Sequence, residues 1–326
     1  MKFIDLHCDT LMHTVGREEP LSLLRNDQTS IDFERMEEGG ALAQFFAVFL
    51  PTEEMFLENV GEVIDDDLYI NTLVDTLKRE IGENSTMISL AHNHHDIIQN
   101  EKEGRMSAIL SIEDGRSVQG SLEKLRSYYD MGIRLISLTW NFENCFGYPN
   151  SDDRNIMEKG LKEFGREAVE YMNQLGMIVD VSHLSDGGFY DVAKISKKPF
   201  VASHSNARDI SPHKRNLTDQ MIRVLGEKGG VAGINFAPHF LQPDTTTDRS
   251  TVQLMVRHLN HMKNVGGEDV VALGSDFDGI SGELEVDSIE KMPMIFDALE
   301  KAGWTTGQIE KLAYKNTLRV IKESMK

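Results

Sequence analysis

The chain has 326 residues, 40% of them hydrophobic, and a formal net charge of -19. A surface that acidic repels nucleic-acid phosphates and anionic lipid, which argues against partners of either kind. Cys8 and Cys145 are too few for a disulfide framework, no apolar run reaches the length of a membrane span, and no secretory leader pattern opens the chain, so a cytoplasmic enzyme is expected.

Short apolar runs bounded by turn residues read as buried strands. In chain order they are 3–6, 43–50, 107–112, 134–138, 177–181, 200–202, 230–236 and 270–274. Helical spacing of apolar residues fills most of the intervals, as in 160–175, 219–228 and 252–264. The stretch 51–103 is too long for one connection and predicts a helical insertion, with a long helix around 60–81 and a second element near 87–99. The tail 291–326 reads as helices packed outside the sheet. Strands alternating with helices imply parallel pairing and right-handed crossovers. Eight such units, with no Gly-rich phosphate or dinucleotide loop, favour a closed (β/α)8 barrel over an open sheet, built as one domain over 1–326.

Polar residues interrupt the strand pattern repeatedly at C-terminal strand ends, which form the active-site face of such a barrel. The first strand ends His7-Cys8-Asp9, and alternation places His7 and Asp9 together with Cys8 turned away. The third ends at Glu113, a carboxylate whose two oxygens can bridge two cations. The fifth and sixth end at His183 and His204, and the eighth at Asp276. One such residue is ordinarily a satisfied local polar group. Ligand-type residues on five strand ends predict a metal centre. By contrast, His92, His94 and His95 have no strand end to organise them and read as an exposed segment; nothing in the spacing of His13, His213 and His239 demands more than a place near the barrel mouth.

The stretches FIDLHCDT at 3–10, IEDG at 112–115, VDVSHLS at 179–185, ASHSNA at 202–207, KRNL at 214–217 and LGSDFDG at 273–279 resemble the renal (membrane) dipeptidase family, peptidase family M19 of the amidohydrolase superfamily, in the family's order and over most of the chain. The resemblance implies a binuclear zinc dipeptidase acting on short peptides, including those with a D-residue at the C-terminus, with Mn²⁺ or Co²⁺ as possible substitutes, and it leaves a homodimer open. By the same resemblance His7 and Asp9 bind one zinc, His183 and His204 the other, and Glu113 bridges them. Asp276 is then the acid/base residue, and Arg215 holds the substrate's C-terminal carboxylate, a task suited to its bidentate fork.

Two positions depart from the family pattern. Trp140 stands where renal-type members carry a His that stabilises the oxyanion, so that task would pass to the Trp140 N–H, to Asn141 or Asn144, or to zinc alone. Lys315 stands where the family usually has Gly, and reads as structural. Two competing functions fit the same ligands. Amidohydrolases acting on lactones, cyclic amides or phosphoesters often bridge their metals with a lysine on strand four, and 134–138 has none. A non-catalytic metal-binding barrel would have little reason to keep Asp276 beside a full ligand set.

Overall fold

In a computed structural model, which describes residues 1–17, 19–243 and 246–326, the strands run in chain order as β1 Phe3–Cys8, β2 Ala41–Phe49, β3 Ile88–Leu90, β4 Met106–Glu113, β5 Ile133–Ser137, β6 Ile178–Asp180, β7 Val201–Ala202, β8 Val231–Ile234, β9 Arg249–Ser250, β10 Val271–Leu273 and β11 Glu283–Leu284. Eight of them close a parallel barrel in the order β1, β2, β4, β5, β6, β7, β8, β10 and back to β1. Each lies on one of the eight expected apolar runs. The strand β3 adds to the start of β4 outside this ring, and β9 pairs with β11 in a separate ribbon.

Side-chain alternation divides the core into two layers. One cluster takes Ile4, Phe45, Ile109, Leu135, Ile178, Val201, Val231 and Ala272, a residue from every barrel strand, and so fills the interior. The larger cluster takes the alternate residues, such as Ile112, Ile136 and Val179, together with the inner faces of the helices. Val320, Ile321 and Met325 belong to the interior cluster, so the last helix, Asn316–Ser324, covers the bottom of the barrel as well as flanking it. The top is left to polar residues.

The long helix expected at 60–81 runs over Asp66–Glu83, and a separate short helix, Glu53–Asn59, precedes it. Gly61, at φ 89°, breaks the path between them. Asp65 then starts the longer helix, its side chain accepting from the N–H groups of Asp67 and Leu68. The stretch at 87–99 holds β3 and the start of a helix, His94–Lys102, capped by Asn93. That places His94 and His95 in the helix's first turn; among the described residues, no group able to hold a metal includes His92, His94 or His95. No helix among the described residues is long and apolar enough to cross a membrane.

Candidate metal centre and substrate cleft

The first strand does not deliver its ligands by simple alternation. Its pairing with β2 shifts register between Asp5 and Cys8, the strand ends at Cys8, and Asp9 lies beyond it. His7 and Asp9 nonetheless meet, with His7 Nε2 3.5 Å from Asp9 Oδ2. Cys8 is turned away, its thiol towards the Phe45 carbonyl at 3.4 Å. Gly279 makes room for this arrangement: a Cβ there would sit 2.0 Å from Asp9 Oδ2.

Glu113, the last residue of β4, lies at the centre. One carboxylate oxygen is 3.4 Å from His7 Nε2; the other is 2.9 Å from His183 Nε2 and 3.4 Å from His204 Nε2. His183 and His204 face each other Nε2 to Nε2 at 3.1 Å. Their tautomers follow from their other nitrogens. His183 Nδ1 lies 3.2 Å from Asn141 Oδ1, an acceptor, and so carries the proton. His204 Nδ1 lies 2.7 Å from Ser203 Oγ, which already donates its hydrogen to Asp180 Oδ2 at 2.6 Å. Ser203 therefore accepts from His204 Nδ1–H. Both Nε2 atoms are left as lone pairs aimed at each other and at a carboxylate.

Burial, reinforced by Arg215, holds His183 down to about 4, and burial together with His7 holds His204 well below the ordinary value, so neither relieves the contact by protonation. At His7 burial works against the charge, but Asp9 and Glu113 outweigh it and raise the imidazolium well above its usual range. Both ring nitrogens of His7 and Asp9 Oδ1 are buried without a hydrogen-bond partner. Burial raises Asp9 to about 7 and pushes Asp276 up as well; at Glu113 burial works in the same direction, but the charge of His7 outweighs it and holds the carboxyl low. Orphaned donors and opposed lone pairs among three carboxylates are the pattern of a site built around cations. Three imidazoles with carboxylate oxygens form a donor set that suits Zn²⁺.

Asp276 stands just past β10, which ends at Leu273, with φ 63°, in the left-handed region. Its Oδ1 is 3.7 Å from His7 Nε2, and its Oδ2 accepts a 2.7 Å hydrogen bond from Asn235 Nδ2. Asp114, His183 and Asp278 also have positive φ, so the departures from ordinary backbone gather at the barrel mouth. Beneath the ligands, two carboxylates tie neighbouring strands together. Asp180 accepts from the backbone N–H and hydroxyl of Ser203 at 2.9 and 2.6 Å. Asp5 accepts the same two groups from Ser275, each at 2.7 Å.

An open cleft of about 300 Å³ above these residues is lined by Asp9, Glu113, Trp140, Asn141, His183 and Asp276, with Met12, Phe49, Met55 and Phe240 among its apolar walls. Trp140 packs edge-on to Phe49 at 5.0 Å between ring centroids and tilts over His183 at 6.2 Å. Asn144 is committed elsewhere: its amide donates to Asp114 Oδ1 and the Leu138 carbonyl and its oxygen accepts from Phe146 N–H, which removes it as an oxyanion donor. Arg215 is buried at 5% exposure and does not line the open cleft. Its guanidinium makes two long bonds, at 3.3 Å, to Ser205 Oγ and the His204 carbonyl, and its Nε is unpartnered. Among the described residues no carboxylate lies within ion-pair distance of it. His239 lines the cleft, His213 packs on Phe240 at 4.7 Å, and His13 Nε2 lies 2.9 Å from the Asp278 carbonyl.

The sequence model of the membrane dipeptidase family, peptidase family M19, matches residues 1–326. The chain belongs to this family. With the family comes the activity of a metal-dependent dipeptidase. An uncharacterized dipeptidase of Schizosaccharomyces pombe is 32% identical over 302 residues, which span 90% of this chain and 72% of the yeast protein. An uncharacterized protein of Klebsiella pneumoniae is 35% identical over 253 residues, 76% of this chain and 92% of its own length. Among solved structures, a family M19 dipeptidase superposes with a TM-score of 0.87 at 25% identity, over 100% of this chain and 99% of that one. A metallopeptidase from Rhodobacter sphaeroides, bound to a phosphinate mimic of L-Ala-D-Ala, shares the fold with the same TM-score at 24% identity, covering 99% of each chain.

Asn235, Asp180, Ser203 and Gly279 were not picked out from the sequence. A signal existed for the first two, since each is a polar residue inside or closing an apolar strand run. For Ser203 and Gly279 the reason lies in a partner distant along the chain.

Proposed function

We propose that His7 and Asp9 hold one divalent cation and His183 and His204 a second, with Glu113 shared between them, and that the chain hydrolyses dipeptides at this centre. The observation that carries the reading is the meeting of two unprotonated imidazole nitrogens, 3.1 Å apart, on one oxygen of Glu113. Zinc is the ion that the donor set favours. Bound there, such ions would lower the pKa of a water and polarise the scissile carbonyl.

The protein's own groups do the rest. Asn235 engages one oxygen of Asp276 and leaves Oδ1 turned towards the ligand cluster. Asp276 takes the proton of the attacking water on that oxygen and returns it to the leaving amine. Burial raises its affinity for the proton, as a group that is first base and then acid requires. Arg215 offers its incompletely used guanidinium to the substrate's free carboxylate, which limits substrates to short peptides ending near the centre. Trp140 and Asn141 form the wall over His183. Asn141 fixes that ring through Nδ1, and the Trp140 indole supplies a single N–H donor where an imidazole would supply a proton.

The test is turnover of a panel of L-L and L-D dipeptides by zinc-loaded protein, with lactones and phosphotriesters as controls. Dipeptides alone are expected to turn over. Asp276→Asn is expected to keep its metal and lose kcat; unchanged kcat removes Asp276 from the mechanism.

A further inference from the structure

A second cavity of about 330 Å³ lies beside the cleft and shares Met12 and Met55 with it. Its other walls are largely apolar, with Val15, Phe56, Val60 and the ring of Tyr69. The polar side chains around it are already engaged. His13 meets the Asp278 carbonyl, Arg17 donates to the His13 carbonyl and to Gln28, and Asn59 donates to the Met55 carbonyl. Tyr69 differs. It is only 2% exposed and packs edge-on against Phe56, yet its hydroxyl has no hydrogen-bond partner among the described residues. Met12, in the wall that the two share, donates its backbone N–H to the Asp9 carbonyl at 3.1 Å, so the cavity adjoins the metal centre on the Asp9 side.

Arg215 lies on the opposite side, against Ser205, the His204 carbonyl and the ring of Phe240. A dipeptide whose carboxylate is held there and whose scissile carbonyl is at the ligand cluster has its N-terminal residue on the Asp9 side. We propose that the second cavity is the subsite for the side chain of that N-terminal residue, that it takes large apolar or aromatic side chains, and that Met12 and Met55 are the flexible partition over which the side chain enters. The assignment rests on the dipeptidase reading of the cleft. Methionine suits the partition because its unbranched thioether repacks easily around different shapes. The Tyr69 hydroxyl, at the wall of an otherwise apolar pocket, adds a hydrogen-bonding position for a side chain long enough to reach it, such as that of tyrosine.

The experiment compares X-D-Ala dipeptides on zinc-loaded protein, with X as Ala, Leu, Phe, Tyr or Asp, in wild type and in Val60→Phe, which fills the cavity away from the metal centre. In wild type kcat/KM is expected to rise from Ala to Leu and Phe by about tenfold or more, the scale of a few methylenes in an apolar pocket. In Val60→Phe the Phe-to-Ala ratio is expected to collapse towards one. Tyr69→Phe is expected to lower kcat/KM for X = Tyr relative to X = Phe. Equal rates for Ala and Phe in wild type, or an Asp substrate preferred through Arg17, overturn the subsite and leave the dipeptidase reading intact. A Phe-to-Ala ratio that survives in a folded Val60→Phe protein overturns it as well. If no member of the panel is cleaved by metal-loaded protein, the dipeptidase reading itself fails, and the subsite with it.

Discussion

Replacing Gly279 with alanine adds one methyl group and tests the metal centre without removing a ligand. The new Cβ would lie 2.0 Å from Asp9 Oδ2 and 3.1 Å from Asp276 Oδ1, whereas real Cβ contacts essentially never fall below 3.0 Å. The Asp9 carboxylate must therefore retreat by about 1 Å, from 2.0 to at least 3.0 Å. A displacement of that size at a reacting centre costs about 100-fold in rate, and disturbing the support of a metal ligand costs roughly 10- to 100-fold in metal affinity. Zinc content after equilibrium dialysis and kcat/KM on a dipeptide are measured together, with thermal unfolding to separate loss of the site from loss of the fold. Gly82→Ala is the control: apart from its chain neighbours and its own helix backbone no atom lies within 4 Å of its Cβ, it sits in the last turn of the helix Asp66–Glu83, and alanine there is expected to add up to about 1 kcal/mol of stability. Full zinc binding and kcat/KM within threefold of wild type in Gly279→Ala would refute the claim that Asp9 is held in place as a ligand.

Asn235→Ala removes a hydrogen bond to a buried carboxylate, worth about 1.5–3 kcal/mol, and is expected to lower kcat by roughly 10- to 100-fold while zinc content stays whole; a loss of zinc instead would make Asn235 a support of the metal rather than of Asp276. Dialysis against a chelator is expected to abolish turnover and lower the melting temperature, both restored by two equivalents of zinc, since an ion bound only by the folded state stabilises it; restoration by a single equivalent argues against the paired site. His258 supplies a pH test away from the centre. It accepts from Ala207 N–H, its Nε2 lies 2.9 Å from the Leu241 carbonyl, and burial holds it down to about 4 against 6.5 in an unfolded chain. Between those values the unfolded chain binds more protons, so the stability His258 contributes is complete above 6.5 and is lost as the pH falls towards 4, about 3 kcal/mol in all. Chemical unfolding of metal-free protein at several pH values checks this, and His258→Leu, though less stable overall, is expected to show a flatter slope; an equal slope removes His258 as the cause.

The barrel was legible because buried parallel strands are continuous apolar runs, and a polar residue at the end of such a run is conspicuous. His7, Glu113, His183, His204 and Asp276 were visible in this way, and the structure gathers all five. Residues whose role depends on a partner far along the chain were not. Asn235 stands out as a polar residue in an apolar run, but its partnership with Asp276 spans 41 positions, and no local periodicity encodes it. The same holds for the cradle that Gly279 forms for Asp9. Alternation alone places His7 beside Asp9, but the structure reaches that result through a register shift in β1. The long helix was read six residues too early, at 60 rather than at Asp66, because the apolar spacing continues across Gly61 into the preceding turn.

The carboxylates of Asp5 and Asp180 also bear on how a sheet is allowed to stop. Within the strands, β1 pairs with β10 only at Asp5 and Leu273, and β6 with β7 only at Asp180 and Val201; past them the backbone is joined by Asp276 N–H to the His7 carbonyl, Asp9 N–H to the Phe277 carbonyl and Val181 N–H to the Val201 carbonyl. A strand end that turns its backbone aside to present a histidine or an aspartate keeps few ladder partners. At both seams a carboxylate adds to these few bonds, gripping the N–H and the hydroxyl of a serine just past the neighbouring strand. The rim of the barrel is thus sewn by side chains as well as by backbone, and the irregular path that chemistry asks of a strand end is not passed down into the wall.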